Sequence, residues 1–252
     1  MPETIIPDIG RQLKRGLVAF LFIACASTPA VSTVPTTTTA SPTTTVTTAP
    51  PTTTTRAVTT TTTLVPVFDV VLDEVTATDL GVTWREGCPV GPSELRLLTL
   101  SHHGFDDQVH TGQLVIHFDW ATKVTGVFQL LFEAGFPIER IEPMTVFGAD
   151  DDAAMAANNS SGFNCRNVAG TNRWSEHAFG RAIDISPLVN PWVRGSQVDP
   201  PGGQAFLDRD GSVPGLIVGG DVVVEAFAAI GWGWGGYWSS PKDYMHFSST
   251  GR

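Results

Sequence analysis

Residues 67–252 predict an α+β domain. Short β-rich runs and two helical runs are interleaved without regular βαβ alternation. No internal repeat is present, and 186 residues are enough for one domain with a full core. The run 68–72 (F-D-V-V-L) reads as a short strand. Residues 94–100 are rich in apolar positions but ambiguous between helix and strand. Residues 113–118 (Q-L-V-I-H-F) are β-rich and half-alternating, a strand. Between 121 and 136 the apolar residues Ala121, Val124, Val127, Phe128, Leu131 and Phe132 fall at helical spacing, and Gly135 suits the stop. Residues 144–147 are a further short strand candidate. Along 182–186 (A-I-D-I-S) the alternation turns Asp184 away from Ile183 and Ile185. Asp221 can cap a helix over 222–230 that Gly231 ends, and 245–248 read as a last short strand.

The chain before this domain has a different composition. Arg11, Lys14 and Arg15 precede the apolar run 16–26, with small residues at Ala24 and Ala26. A basic flank, a short apolar stretch and small residues form the pattern of a secretory signal, expected over residues 1–26. An N-terminal core helix is the competing reading. L-F-I-A-C, ending at Cys25, also resembles a bacterial lipobox, and a lipid anchor there would tie the chain to a membrane. No apolar run approaches the roughly 20 residues of a membrane span. Residues 27–66 hold 20 Thr and 6 Pro with one charge, Arg56. Such a tract has no apolar periodicity from which to build a core. It reads as an extended linker, a candidate for O-glycosylation, or as an adhesive stalk. The domain is expected outside the cytoplasm, as a monomer.

Charge narrows the partners. The 25 acids against 15 bases give −10, the wrong sign for a nucleic-acid surface. If Cys25 leaves with the leader or carries lipid, Cys88 and Cys165 remain. An even count in an oxidising compartment favours one disulfide, with two buried thiols as the alternative.

Two segments carry the chemistry: S-E-H-A-F-G-R-A-I-D at 175–184 and D-Y-M-H-F at 243–247. Together they supply His177, Asp184 and His246. Two imidazoles and a carboxylate are a ligand set suited to catalytic Zn²⁺, which keeps a fourth position open. Zinc in such a set lowers the pKa of water and polarises a carbonyl. A tight turn at Gly180 would let His177 and Asp184 converge. Residues i and i+3 on a regular strand face opposite ways, so Asp243 must lie in the turn after Pro241 to share a cavity with His246. There it could take a proton from water and pass it to a leaving amine.

These residues resemble a known family, the bacterial zinc peptidases that include D-alanyl-D-alanine carboxypeptidases, D,D-dipeptidases and phage L-alanyl-D-glutamate endolysins. The family pattern S-x-H-x-x-G-x-A-x-D is matched by Ser175, His177, Gly180, Ala182 and Asp184. Its later acid-x-x-His is matched by Asp243 and His246. The strings N-P-W and G-W-G-W-G-G-Y-W are similar to the carboxypeptidase-like branch, and the resemblance covers about residues 84–249. It implies a hedgehog/D,D-peptidase fold with a small, mainly antiparallel sheet and flanking helices. It also implies hydrolysis of peptide bonds in peptidoglycan stem peptides, as a D,D-carboxypeptidase or, alternatively, an L-alanyl-D-glutamate endopeptidase. Carried over residue by residue, His177, Asp184 and His246 bind zinc, Asp243 is the catalytic base, and Arg166 in F-N-C-R binds a substrate carboxylate. Ser175 contacts substrate or orients a ligand.

Competing readings stay in view. A noncatalytic wall-binding module with structural zinc would have no need of Asp243. A serine hydrolase at Ser175 lacks the G-x-S-x-G elbow. His102, His103, His110 and His117 lack tight ligand spacing and suit ordinary structural roles. Asp150, Asp151 and Asp152 read as a solvated acidic turn. Trp232, Trp234, Tyr237 and Trp238 could line a groove or pack behind the metal.

Overall fold

The computed structural model describes residues 66–210 and 212–252. The leader and nearly all of the Thr/Pro tract, residues 1–65, lie outside the described residues.

The domain opens with β1 (Val70–Glu74) and the single-turn α1 (Ala77–Leu80), then β2 (Leu95–His103) and β3 (Val109–His117). β2 and β3 pair antiparallel from Leu95↔His117 to His103↔Val109, and β1 joins the far edge of β2 with Val70 opposite Leu100. The run 94–100, ambiguous in isolation, is a strand because β1 and β3 satisfy its backbone groups on both sides. Helix α2 (Phe118–Glu133) follows at once. Its buried residues are Ala121, Val124, Val127, Phe128, Leu131 and Phe132, the stripe that the spacing predicts. His117 caps it by accepting from the Asp119 N–H, so it starts three residues before the first periodic position.

Next come β4 (Arg140–Ile141), α3 (Asp151–Ala156), β5 (Asn159–Ser160), β6 (Ala182–Asp184), β7 (Trp192–Arg194) and β8 (Gln197–Asp199). Helix α4 (Val222–Ala229), β9 (Gly233–Trp234), β10 (Lys242–Asp243) and β11 (His246–Ser248) complete the chain. Residues 144–147 form a 3-10 turn rather than the expected strand. Val146 donates back to the Pro143 carbonyl, and Gly148 reverses the chain at φ +62°. Only Met144 is buried there, so no alternating face exists for a sheet to cover. Asp221 caps α4 as expected, accepting from the Val224 N–H.

The expected small antiparallel sheet is divided. Three three-stranded sheets run β1-β2-β3, β6-β11-β9 and β10-β7-β8, and β4 and β5 form a separate parallel pair. The main core lies between the first sheet, α2, α4 and the β6-β11-β9 sheet, where Phe128, Phe227 and Phe247 are fully buried. Each such ring contributes on the order of 1.5–3 kcal/mol by leaving water. A second cluster of Leu80, Val90, Leu95 and Phe163 surrounds the Cys88–Cys165 disulfide. Closing a loop of 77 residues stabilises the fold by about 4 kcal/mol in the chain-entropy account.

Candidate metal centre

His177 stands in a 3-10 turn, Glu176–Phe179. The Ser175 hydroxyl starts the turn by accepting from the His177 N–H at 3.3 Å. Arg181 clamps Glu176 at 2.6 Å. Gly180 ends the turn at φ +62°, and a side chain there would come within 2.8 Å of the His117 nitrogen and of Leu95. Glycine is required on both counts. Two residues later β6 begins, with Asp184 on it.

β6 pairs antiparallel with β11, and the register sets His246 directly opposite Asp184. Asp184 Oδ1 lies 3.0 Å from His246 Nδ1, and its Oδ2 lies 3.1 Å from His177 Nε2. The two ring nitrogens, His177 Nε2 and His246 Nδ1, are 3.3 Å apart. All three side chains are buried, and one ligand atom from each falls within 4.8 Å of the others. Among the described residues this is the one such group of His, Cys or acidic side chains.

The outer ring nitrogens fix the inner ones. His177 Nδ1 donates to the Gly162 carbonyl at 2.7 Å, and His246 Nε2 donates to the main-chain oxygen of Arg252 at 3.2 Å. Such an oxygen only accepts, so the outer nitrogen of each ring carries a proton, and the inner nitrogen is the one that can lose its proton to offer a lone pair beside Asp184. Burial alone would lower the His246 pKa, but the hydrogen bond and charge of Asp184 outweigh it and push it up to about 9. Burial would likewise raise the Asp184 pKa, yet the facing histidines hold it far below the usual carboxylate range. The pocket is therefore wired to keep a positive charge between these three groups. The donor set of two nitrogens and an oxygen fits a divalent cation such as zinc.

Asp243 reaches the same cleft by a different local structure from the expected turn. It is the second residue of β10, paired with Trp192 of β7, and a bend at Tyr244–Met245 separates it from β11. That bend cancels the opposite facing that regular i, i+3 strand geometry would impose. Gly235 makes room: a Cβ there would come within 2.5 Å of the Asp243 carbonyl oxygen. Asp243 Oδ1 is buried without a hydrogen-bond partner among the described residues. Burial pushes its pKa up to about 7, against the opposing pull of His246.

Arg166, Ser175, His177, Asp184, Asp243 and His246 all line one cleft of about 540 Å³. Arg166 Nη2 is ion-paired with Asp151 Oδ2 at 2.8 Å, and its Nε is buried without a partner among the described residues. The acidic run is thus not merely a solvated turn. Asp150 caps α3, while Asp151 turns into the cleft, where burial raises its pKa against the pull of Arg166. The aromatic run divides as well. Trp232 and Trp234 are buried in the core, Tyr237 is exposed, and Trp238 lines the cleft with its ring 5.7 Å from His246.

Sequence reasoning alone missed Asp151, Trp192, Gly162 and Gly235 as parts of the site. Gly162 supplies a carbonyl, which leaves no mark in residue type. The flanking F-N-C-R signalled its neighbourhood only through Arg166.

No curated protein and no solved structure matches the chain. Five of the six residues singled out from the sequence lie between 169 and 249, Arg166 alone falling just before. Over residues 169–249 the chain matches the peptidase family model described as D-alanyl-D-alanine carboxypeptidase, the family that its motifs resemble.

Proposed function

We propose that this protein is a zinc-dependent peptidase of the cell envelope that hydrolyses peptide bonds in peptidoglycan stem peptides, as a D,D-carboxypeptidase. The hedgehog/D,D-peptidase fold and an extracytoplasmic location belong to the same proposal. The observation that carries it is the convergence, in one cleft, of the buried His177–Asp184–His246 group and the partnerless carboxylate oxygen of Asp243. The family match over 169–249 supports the substrate class.

His177 Nε2, His246 Nδ1 and an Asp184 oxygen would hold the cation. Bound there, zinc supplies Lewis acidity towards a carbonyl oxygen and acidifies water. Asp243 accepts the proton of attacking water and returns it to the leaving amine. A carboxyl whose pKa burial has raised towards neutrality holds and releases a proton with little free-energy difference between its two forms. Gly162 and Arg252 keep the imidazole rings in the binding tautomer. Arg166, oriented by Asp151, binds a substrate carboxylate. Ser175 holds the turn under His177 and faces the cleft.

Digestion of purified muropeptides, with and without a chelator and with zinc added back, tests the reading by mass spectrometry. Chelator-sensitive loss of one D-Ala is the expected result. Release of larger stem fragments would move the assignment to an endopeptidase. Wall binding without any cleavage would overturn the enzyme assignment.

A further inference from the structure

The described residues contain nine arginines, and their partners sort them by place. Arg96, Arg140, Arg166 and Arg181 are paired with Glu74, Glu142, Asp151 and Glu176. Arg85 and Arg209 donate to main-chain carbonyls. The remaining three, Arg173, Arg194 and Arg252, have no carboxylate or carbonyl partner for their guanidinium groups among the described residues. All three line the catalytic cleft.

That distribution concentrates the unpaired guanidinium groups in one place, although acids outnumber bases in a chain of net charge −10. The cleft also contains four aspartates, Asp151, Asp184, Asp199 and Asp243. Asp151 is taken by Arg166, and Asp184 by the two histidines. Neither Asp199 nor Asp243 forms an ion pair with the three arginines.

Arg194 is also preorganised. It ends β7, the strand whose Trp192 pairs with Asp243, and its guanidinium lies 5.1 Å from the centre of the Trp192 ring. Stacking on a ring restrains the plane of the fork while leaving its N–H edges open to a ligand. Because β10 pairs with β7, this platform is tied by backbone hydrogen bonds to the strand that carries the base.

We propose that Arg173 and Arg194, with Arg252 on the same cleft, form a second anion subsite that selects peptides bearing a free carboxylate in addition to the one bound by Arg166. The inference rests on the peptidase reading and deepens it: the preferred substrate is an acidic stem peptide rather than its amidated counterpart.

The test uses two synthetic peptides ending in D-alanyl-D-alanine. They differ only in whether an upstream residue carries a free carboxylate or its carboxamide. The zinc-loaded wild type is expected to favour the acidic peptide by about tenfold in kcat/KM, the scale of one charge-assisted hydrogen bond. Arg194→Gln and Arg173→Gln should each shrink that preference, chiefly through KM, and the double variant should remove it. High salt should weaken it in the wild type. Arg140→Gln, whose partner Glu142 lies outside the cleft, is the control that leaves the preference intact. Equal kcat/KM and equal binding of the two peptides by the wild type would overturn the subsite. If neither peptide is cleaved, the peptidase reading fails. The preference is then read from binding alone, by the change in intrinsic tryptophan fluorescence, to which Trp192 and Trp238 in the cleft contribute.

Discussion

Asp184 and His246 are direct cross-strand partners, with Oδ1 of one 3.0 Å from Nδ1 of the other. One ladder of backbone hydrogen bonds therefore sets the geometry of two of the three side chains of the candidate metal centre. A slip of one residue would send His246 to the opposite face of β11 and break the site.

Removing a ligand should remove the metal. His177→Ala, Asp184→Asn and His246→Ala are each expected to drop bound zinc from one equivalent to near zero, as read by metal analysis after gel filtration. Activity should fall together with metal content.

Asp243→Asn should separate metal from turnover. Zinc content is expected to stay near one equivalent while kcat falls by about 10²–10⁴, the usual scale for loss of a general base. Loss of metal in this variant would place Asp243 among the ligands instead. In the proposed mechanism Asp243 acts ionised, so wild-type kcat should rise with pH through its titration. Burial raises that pKa, to about 7 without metal, and a nearby cation draws it down. The acidic limb should therefore end at or below neutrality, and Asp243→Asn should lack it.

Zinc affinity should itself depend on pH. Without metal, the His246 pKa is raised to about 9, so its imidazolium must lose a proton before Nδ1 can ligate. Affinity is expected to increase from pH 6 towards 9, with proton release seen when calorimetry is repeated in buffers of different ionisation enthalpy. The stability contribution of that same proton has the opposite course. It is fully present below the unfolded pKa of 6.5 and is lost as pH rises through about 9. The metal-free protein should accordingly show a falling Tm over that interval.

Gly235→Ala tests the support beneath the base. The added Cβ would press on Asp243 itself, displacing backbone rather than a flexible tip. A loss of about 1–3 kcal/mol in stability is expected from overpacking. The fall in kcat should exceed that of Gly126→Ala, which meets nothing within 4 Å.

Removing the two disulfide cysteines as Cys88→Ser with Cys165→Ser should cost about 2–5 kcal/mol in a denaturant titration.

The sequence was most legible where chemistry and periodicity coincide. The stripe on α2 is readable because burial against a sheet demands apolar residues at helical spacing, and the same six positions are buried. His177, Asp184, Asp243 and His246 could be singled out because groups that bind metals or move protons come from few residue types, and the structure brings the four into one cleft. What escaped depends on the backbone. The strand Leu95–His103 needed partners that lie before and after it in the chain. The 3-10 turn at Met144–Phe147 has the composition of a strand but no sheet to join. Gly162 and Arg252 act through main-chain oxygens, which every residue has. Gly235 acts by lacking a side chain.

The run 161–166 joins features that look separate. Ser161 bridges Asp184 by two backbone hydrogen bonds, Gly162 steadies the His177 ring, Cys165 carries the disulfide, and Arg166 enters the cleft. The disulfide and the candidate metal centre thus draw on the same short stretch of main chain. By thermodynamic reciprocity, any help that the closed disulfide gives to cation binding is returned in equal measure by the cation to the disulfide. If the centre binds zinc as proposed, reducing Cys88–Cys165 is expected to weaken that binding with His177, Asp184 and His246 all still in place.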